Sequence, residues 1–240
     1  PPRSTLFPYT TLFRSPELIF FHAVFKLICA AIGGVLLAML IQKYIHKRSK
    51  IAMAFIIIFL SMILSLIFSS FDYLLGWESL LGPETWIGFG ISQVLIGFAN
   101  AVYYWLFIEI FKVKEKWTKK QLMNFAGFAF VYLLASVFVM TFYAFNIPPD
   151  LYVASLTILV MSLLIYFYWI AECGRILSRM DNVDYIYKFK YLRLTAYAFL
   201  CVMLFSVVAS LSSSPSYASW IAMILMLVGV FFGYRSIIKV

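Results

Sequence analysis

The chain has 240 residues, of which 64% are hydrophobic and only 12% charged, with a mean hydropathy of +0.96. Soluble domains are about half apolar and about a quarter charged, so this chain cannot cover itself with polar surface, and lipid must serve as its solvent. A formal charge of +9 would suit nucleic acid, but the cations sit at the ends of apolar segments, as in membrane proteins, and nucleic acid is not an expected partner.

Residues 1–15, PPRSTLFPYTTLFRS, stand apart from the rest of the chain. They resemble the conceptual translation of a short-read sequencing adapter over all fifteen positions, ending abruptly at Pro16. The resemblance implies a non-native segment to be set aside from fold reasoning, with a fragment beginning at Pro16 and its natural start missing. The alternative is an interfacial leader built on Leu6, Phe7, Tyr9, Leu12 and Phe13.

A bilayer core takes about twenty apolar residues per helix. Seven such runs occur, at 18–43, 51–75, 86–111, 121–145, 151–177, 191–212 and 217–238. The expected fold is therefore an all-α, polytopic seven-helix bundle occupying residues 16–240. Beyond Pro16, prolines occur only at Pro83, Pro148, Pro149 and Pro215, all between runs. The first run is too long for a signal peptide and lacks a basic leader.

The gaps alternate in charge. The first, third and fifth hold Lys43, Lys47, Arg48 and Lys50; Lys112, Lys114, Lys116, Lys119 and Lys120; and Arg175, Arg179, Lys188, Lys190 and Arg193. Arg235 and Lys239 close the chain, and the second, fourth and sixth gaps contain no Lys or Arg. Positive-inside bias then places the N-terminus outside and the C-terminus in the cytoplasm of a multi-pass cell-membrane protein. Aromatic residues agree: Tyr73, Trp77, Trp86, Tyr143, Tyr152, Tyr217 and Trp220 mark one interface, and Tyr44, Trp117, Tyr187 and Tyr234 the other.

Gly90, Gln93, Gly97, Asn100 and Tyr104 recur at steps of three and four, so they line one face of the third span. Such a face turns away from lipid, either as a close-packed seam or as the wall of a polar cavity. Ala30, Gly34 and Ala38, Ser61, Ser65 and Ser69, and the Gly229/Gly233 pair form further small-residue ridges, expected to pack within the bundle or to support a homodimer.

Lys26 lies inside the first span, one turn from His22, and Asp72 ends the second span on the same side. A Lys26–Asp72 pair is expected, or else a lysine that snorkels to the interface. His22, Lys26 and Asp72, with Gln93, make a candidate ligand or pH-sensing cluster. Near the opposite ends, Glu109 is expected to pair with Lys112 and Glu172 with Arg175.

Catalytic and cofactor signals are absent. The seventh span has no lysine between Trp220 and Tyr234 for a retinal Schiff base and no NPxxY-like sequence, and the third ends Ile108-Glu109-Ile110-Phe111 where a receptor would carry a DRY-like triplet. P-loop, GxSxG and HExxH motifs are missing. Cys29, Cys173 and Cys201 lie in or beside apolar runs and read as small hydrophobes. No metal or cofactor is expected, and enzyme chemistry is the least expected of the readings.

Lys47-Arg48 in the first basic gap, Ser69-Ser70-Phe71-Asp72 and Gly233-Tyr234 resemble the seven-helix sensor modules that precede histidine kinases in prokaryotic membrane proteins, and related stand-alone seven-helix proteins. The resemblance implies a receptor-like module that relays an outer or intramembrane cue to a cytoplasmic output domain or partner. The alternative is a small-solute or ion transporter, which requires a polar path joining Gln93 and Asn100 to Glu109 or Glu172. A membrane enzyme is the third reading.

Overall fold

The computed structural model describes residues 16–74, 87–111, 117–145, 151–211 and 216–238. The adapter-like segment, Lys112, Lys114, Lys116, Trp77, Trp86, the prolines at 83, 148, 149 and 215, and Lys239 lie outside the described residues. The described residues form α1 (Pro16–Lys47), α2 (Lys50–Leu74), α3 (Ile87–Phe111), α4 (Lys119–Phe145), α5 (Leu151–Leu177), α6 (Val183–Leu211) and α7 (Ser216–Ile238). All seven are long and apolar enough to cross a membrane. In hydrocarbon a helix is the conformation that satisfies every backbone group within one segment. The one proline inside a described helix, Pro16, stands at its first position, where its missing N–H costs nothing.

Helix ends follow local chemistry. Thr118 and Gln121 cap α4 reciprocally: the Thr118 N–H donates to Gln121 Oε1 (2.9 Å) and the Gln121 N–H to Thr118 Oγ1 (3.3 Å). At α6, Asn182 Oδ1 accepts from the Asp184 N–H at 3.0 Å, and Asp184 complements the helix N-terminus. This cap starts α6 at Val183, eight residues before the run read from hydropathy. The first two turns, with Lys188 and Lys190, are therefore helix and not connection. Between α1 and α2 the turn is made by Arg48 at φ 40, with its N–H donating to the Tyr44 carbonyl at 2.7 Å.

Each helix packs on its neighbours in sequence, and α7 returns to α1, closing the ring. α3 also touches α5, and α2 touches α7. Consecutive helices run antiparallel, as cross-helix contacts near both ends show. Lys26 meets Ser69 and Trp220 meets His22 at one end; Lys50 meets Glu109 and Arg235 meets Tyr187 at the other. The second end is the cation-rich one.

Small residues lie where helices approach. A Cβ on Gly97 would collide with the Ser136 side chain of α4, and one on Gly90 would stand 3.0 Å from Met140. Gly229 sits against Phe199 and Ala198 of α6, and Gly233 against Phe55 and Phe59 of α2. The Gly229/Gly233 pair is thus occupied within the chain. The α1 ridge differs from the sequence reading: Gly34 faces open space and Ala38 is exposed. Gly33, one residue earlier, touches Ile63 and Leu227, because α1 presents that stripe to α2 and α7. The outer faces carry exposed Leu122, Met123, Phe130 and Phe138 on α4 and Ile32 and Val35 on α1, as lipid contact requires.

Arg48 holds a left-handed conformation that costs a residue bearing Cβ about 1 kcal/mol relative to glycine. Arg48→Gly and Arg48→Ala remove the same charge, so Gly should exceed Ala in unfolding free energy by about 1 kcal/mol, read by denaturant titration in mixed micelles. Equal stabilities would show that the turn is not strained.

Candidate functional site

The small and amide face of α3 forms the seam with α4. Gly90 and Gly97 admit Met140 and Ser136, and Tyr104 lies against Phe128 with ring centroids 4.2 Å apart. Between them Asn100, 1% exposed, uses both ends of its amide. Nδ2 donates to Tyr132 Oη of α4 at 2.7 Å, and Oδ1 accepts from the Tyr166 hydroxyl of α5. The Tyr132 hydroxyl also bonds Ser162 of α5, whose own hydroxyl donates back to the Ile158 carbonyl at 2.7 Å. One buried polar knot therefore holds three helices. Gln93, on the same α3 face, is half-buried and takes no part in it.

Toward the cation-rich end the interior is aromatic. Tyr103 packs on Trp169 at 4.7 Å, on Tyr166 at 5.6 Å and on Phe199 at 5.8 Å; Trp169 continues to Phe107 and Phe111. Tyr103 Oη and Trp169 Nε1 are buried in this stack without a hydrogen-bond partner.

At the cation-poor end a second polar group joins α1, α2, α3 and α7. Trp220 Nε1 donates to His22 Nδ1 at 2.8 Å, and Phe25 packs beside the indole at 5.5 Å. One turn on, Lys26 Nζ donates to the Ser69 carbonyl at 3.3 Å and interacts electrostatically with Asp72. Asp72 Oδ1 accepts from the Gly88 N–H of α3 at 2.8 Å. Lys26 is 8% and Asp72 4% exposed, so this lysine lies in the interior near Asp72, whereas a snorkelling lysine would keep its ammonium in water. A Cβ on Gly88 would collide with the Phe68 carbonyl and stand 2.9 Å from Asp72 Oδ1, which is why α3 starts with glycine there. The structure thus brings His22, Lys26 and Asp72 together and leaves Gln93 outside their bonds.

At the cation-rich end the expected Glu109–Lys112 pair lies outside the described residues, since Lys112 does. Glu109 accepts from Trp117 Nε1 at 2.6 Å and from Lys50 Nζ of α2 at 3.4 Å. These two partners come from the residues just before α4 and from a neighbouring helix, with the Trp117 ring stacked near Trp105. Glu172 does pair with Arg175, at 2.9 Å. The Arg235 guanidinium of α7 lies over the rings of Tyr187 and Tyr191 of α6 at 5.8 and 5.7 Å. Among the described residues no three His, Cys, Asp or Glu side chains are grouped as a metal site would need.

Sequence reading passed over Tyr132, Ser162, Tyr166, His22's partner Trp220 and the Ser65–Ser92 bond of 2.6 Å between α2 and α3. The α5 residues carried a signal: Ser162, Tyr166, Trp169 and Cys173 follow the same three-and-four spacing as the α3 face. Comparison with protein-family models, with curated proteins and with solved structures gave no match.

Polar pairs between membrane helices contribute about 0.6 kcal/mol on average and up to about 1.7 kcal/mol. With Asn100 held by both neighbours, Asn100→Leu and Tyr132→Phe should couple by about 1 kcal/mol in a double-mutant cycle. Additive effects would mean that the Asn100–Tyr132 bond adds nothing to stability.

Proposed function

We propose that the chain is a receptor-like membrane module that converts a change at its cation-poor end into a rearrangement at its cation-rich end. The carrying observation is the Trp220–His22 bond, which ties α7 to α1 beside the buried Lys26 and Asp72. In this reading the cation-poor end faces outward and the C-terminus lies in the cytoplasm, since short basic connections are retained there. A polar or anionic solute that competes for Lys26 or His22 would loosen α1, α2 and α7 together.

α7 supplies the relay. Leu227 and Gly233 contact α1 and α2 along its length, and Arg235 near its far end rests on Tyr187 and Tyr191. A shift of α7 at Trp220 would therefore move Arg235 across two α6 rings. A cytoplasmic output domain or partner protein would read that movement. The interior supports this reading over transport: between Asn100 and Glu109 the buried side chains of α3 are Ala101, Tyr103, Leu106, Phe107 and Ile108, and the Tyr103 hydroxyl among them has no hydrogen-bond partner to continue a polar path.

Two measurements test the proposal. Cysteines at Asn182 and Ser214, introduced singly with Cys201→Ser, should react with membrane-impermeant maleimide from opposite sides of intact cells; reaction from one side refutes the orientation. In the reconstituted chain, Trp220→Phe should change the labelling rate of a cysteine at the exposed Lys190 beside those rings severalfold, while Phe130→Leu on the lipid face should not. An unchanged rate, or potassium or proton flux in vesicles that depends on Asn100, would overturn the receptor reading.

A further inference from the structure

A crevice of about 510 Å³ opens between α3, α4 and α5 at the cation-rich end. Pockets that hold small amphiphiles fall in about this range, near 300–1,000 Å³. Its inner wall is apolar: Phe107 and Ile108 are buried there, and Tyr104 and Tyr168 flank them. Its rim is polar. Lys120 and Asn124 stand one turn apart on α4, so both side chains reach the same edge. Tyr168 is 59% exposed, and the outward faces beside it carry Phe167 and Leu164 of α5 and Met123 of α4. The apolar wall is thus continuous with the surface that meets lipid chains.

We infer that this crevice is a binding site for an anionic phospholipid, with the phosphate at Lys120 and Asn124 and the first part of an acyl chain against Phe107, Ile108 and Tyr104. Charge and depth select that occupant. Lys119 and Lys120 begin α4, whose free N–H groups add to the positive potential there. Thr118 of the rim follows Trp117, whose indole bonds Glu109 at the cation-rich end, and such ends of membrane-spanning helices lie beside headgroups. A soluble anion would satisfy the rim and leave the aromatic wall uncovered, whereas a zwitterionic lipid would fill the wall without net charge for Lys120. α4 has two chief neighbours, α3 and α5, so a lipid seated there would brace the most lipid-exposed helix of the ring. The inference rests on the membrane-spanning fold and stands apart from the receptor reading.

The test is native mass spectrometry of the detergent-solubilised full chain titrated with phosphatidylglycerol or phosphatidylcholine. Phosphatidylglycerol should bind at least fivefold more tightly, and Lys120→Gln should remove about fivefold of that affinity, the effect of one basic residue at an anionic surface. Lys120→Arg should retain it. Lys188→Gln, a cation of α6 outside the crevice, should leave it unchanged. Equal retention of the two lipids would overturn the site. So would an equal loss from Lys188→Gln, which would reduce the effect to general surface charge, or binding of glycerol phosphate as tight as that of the lipid, which would assign a soluble anion.

Discussion

An amide in hydrocarbon without partners costs several kcal/mol, and that constraint organises one side of this bundle around Asn100. Lipid chains are as apolar as the leucines they touch, so helices in a membrane gain little from hydrophobic contact with one another. What distinguishes the native arrangement is polar satisfaction together with close backbone approach. Asn100 donates to α4 and accepts from α5, and Ser162 links those two partners' helices again. Gly97 supplies the approach, because its missing Cβ leaves room for Ser136. Either device alone would leave α4 loosely held, since most of its surface faces lipid.

The other side is built differently. Where α1, α2 and α7 meet, Gly33 and Gly233 receive Ile63, Leu227, Phe55 and Phe59, and the polar contacts gather at the two ends. At one end His22, Lys26, Asp72 and Trp220 connect four helices; at the other, Arg235 lies on two tyrosines. A charge within the membrane is tolerated when it is paired and hydrogen-bonded. Lys26 donates to the Ser69 carbonyl and lies in the field of the buried Asp72.

Seven helices were legible because length and hydropathy are one-dimensional quantities, and the α3 face because helical period converts spacing into direction. The start of α6 was not legible from hydropathy. Val183–Tyr191 is polar enough to look like a connection, and only the Asn182 cap marks it as helix. The same limit applies to the partners of Glu109 that spacing does not offer: Lys50, fifty-nine positions away, and Trp117 beyond the end of α3. Gly34 and Gly33 differ by one position, a rotation of about 100° around the helix. Spacing alone gives a ridge but not which neighbour it meets.

Interior filling bears on how such a bundle could act. A solute crossing between Asn100 and Glu109 would have to part Tyr103, Trp169, Phe107 and Phe111, whose rings contact one another in a continuous stack. Packed interiors switch between discrete arrangements more readily than they deform, so opening that stack would require α3 and α5 to separate against the Asn100 knot. The receptor reading therefore assigns movement to α7 against α1 and α2. The described contacts of α7 there include glycine against aromatic and aliphatic side chains, with the Trp220–His22 bond toward one end and the two Arg235 cation–π pairs, on α6, toward the other. The knot on α3, α4 and α5 would then act as the fixed frame, and the α1–α2–α7 side as the part able to change.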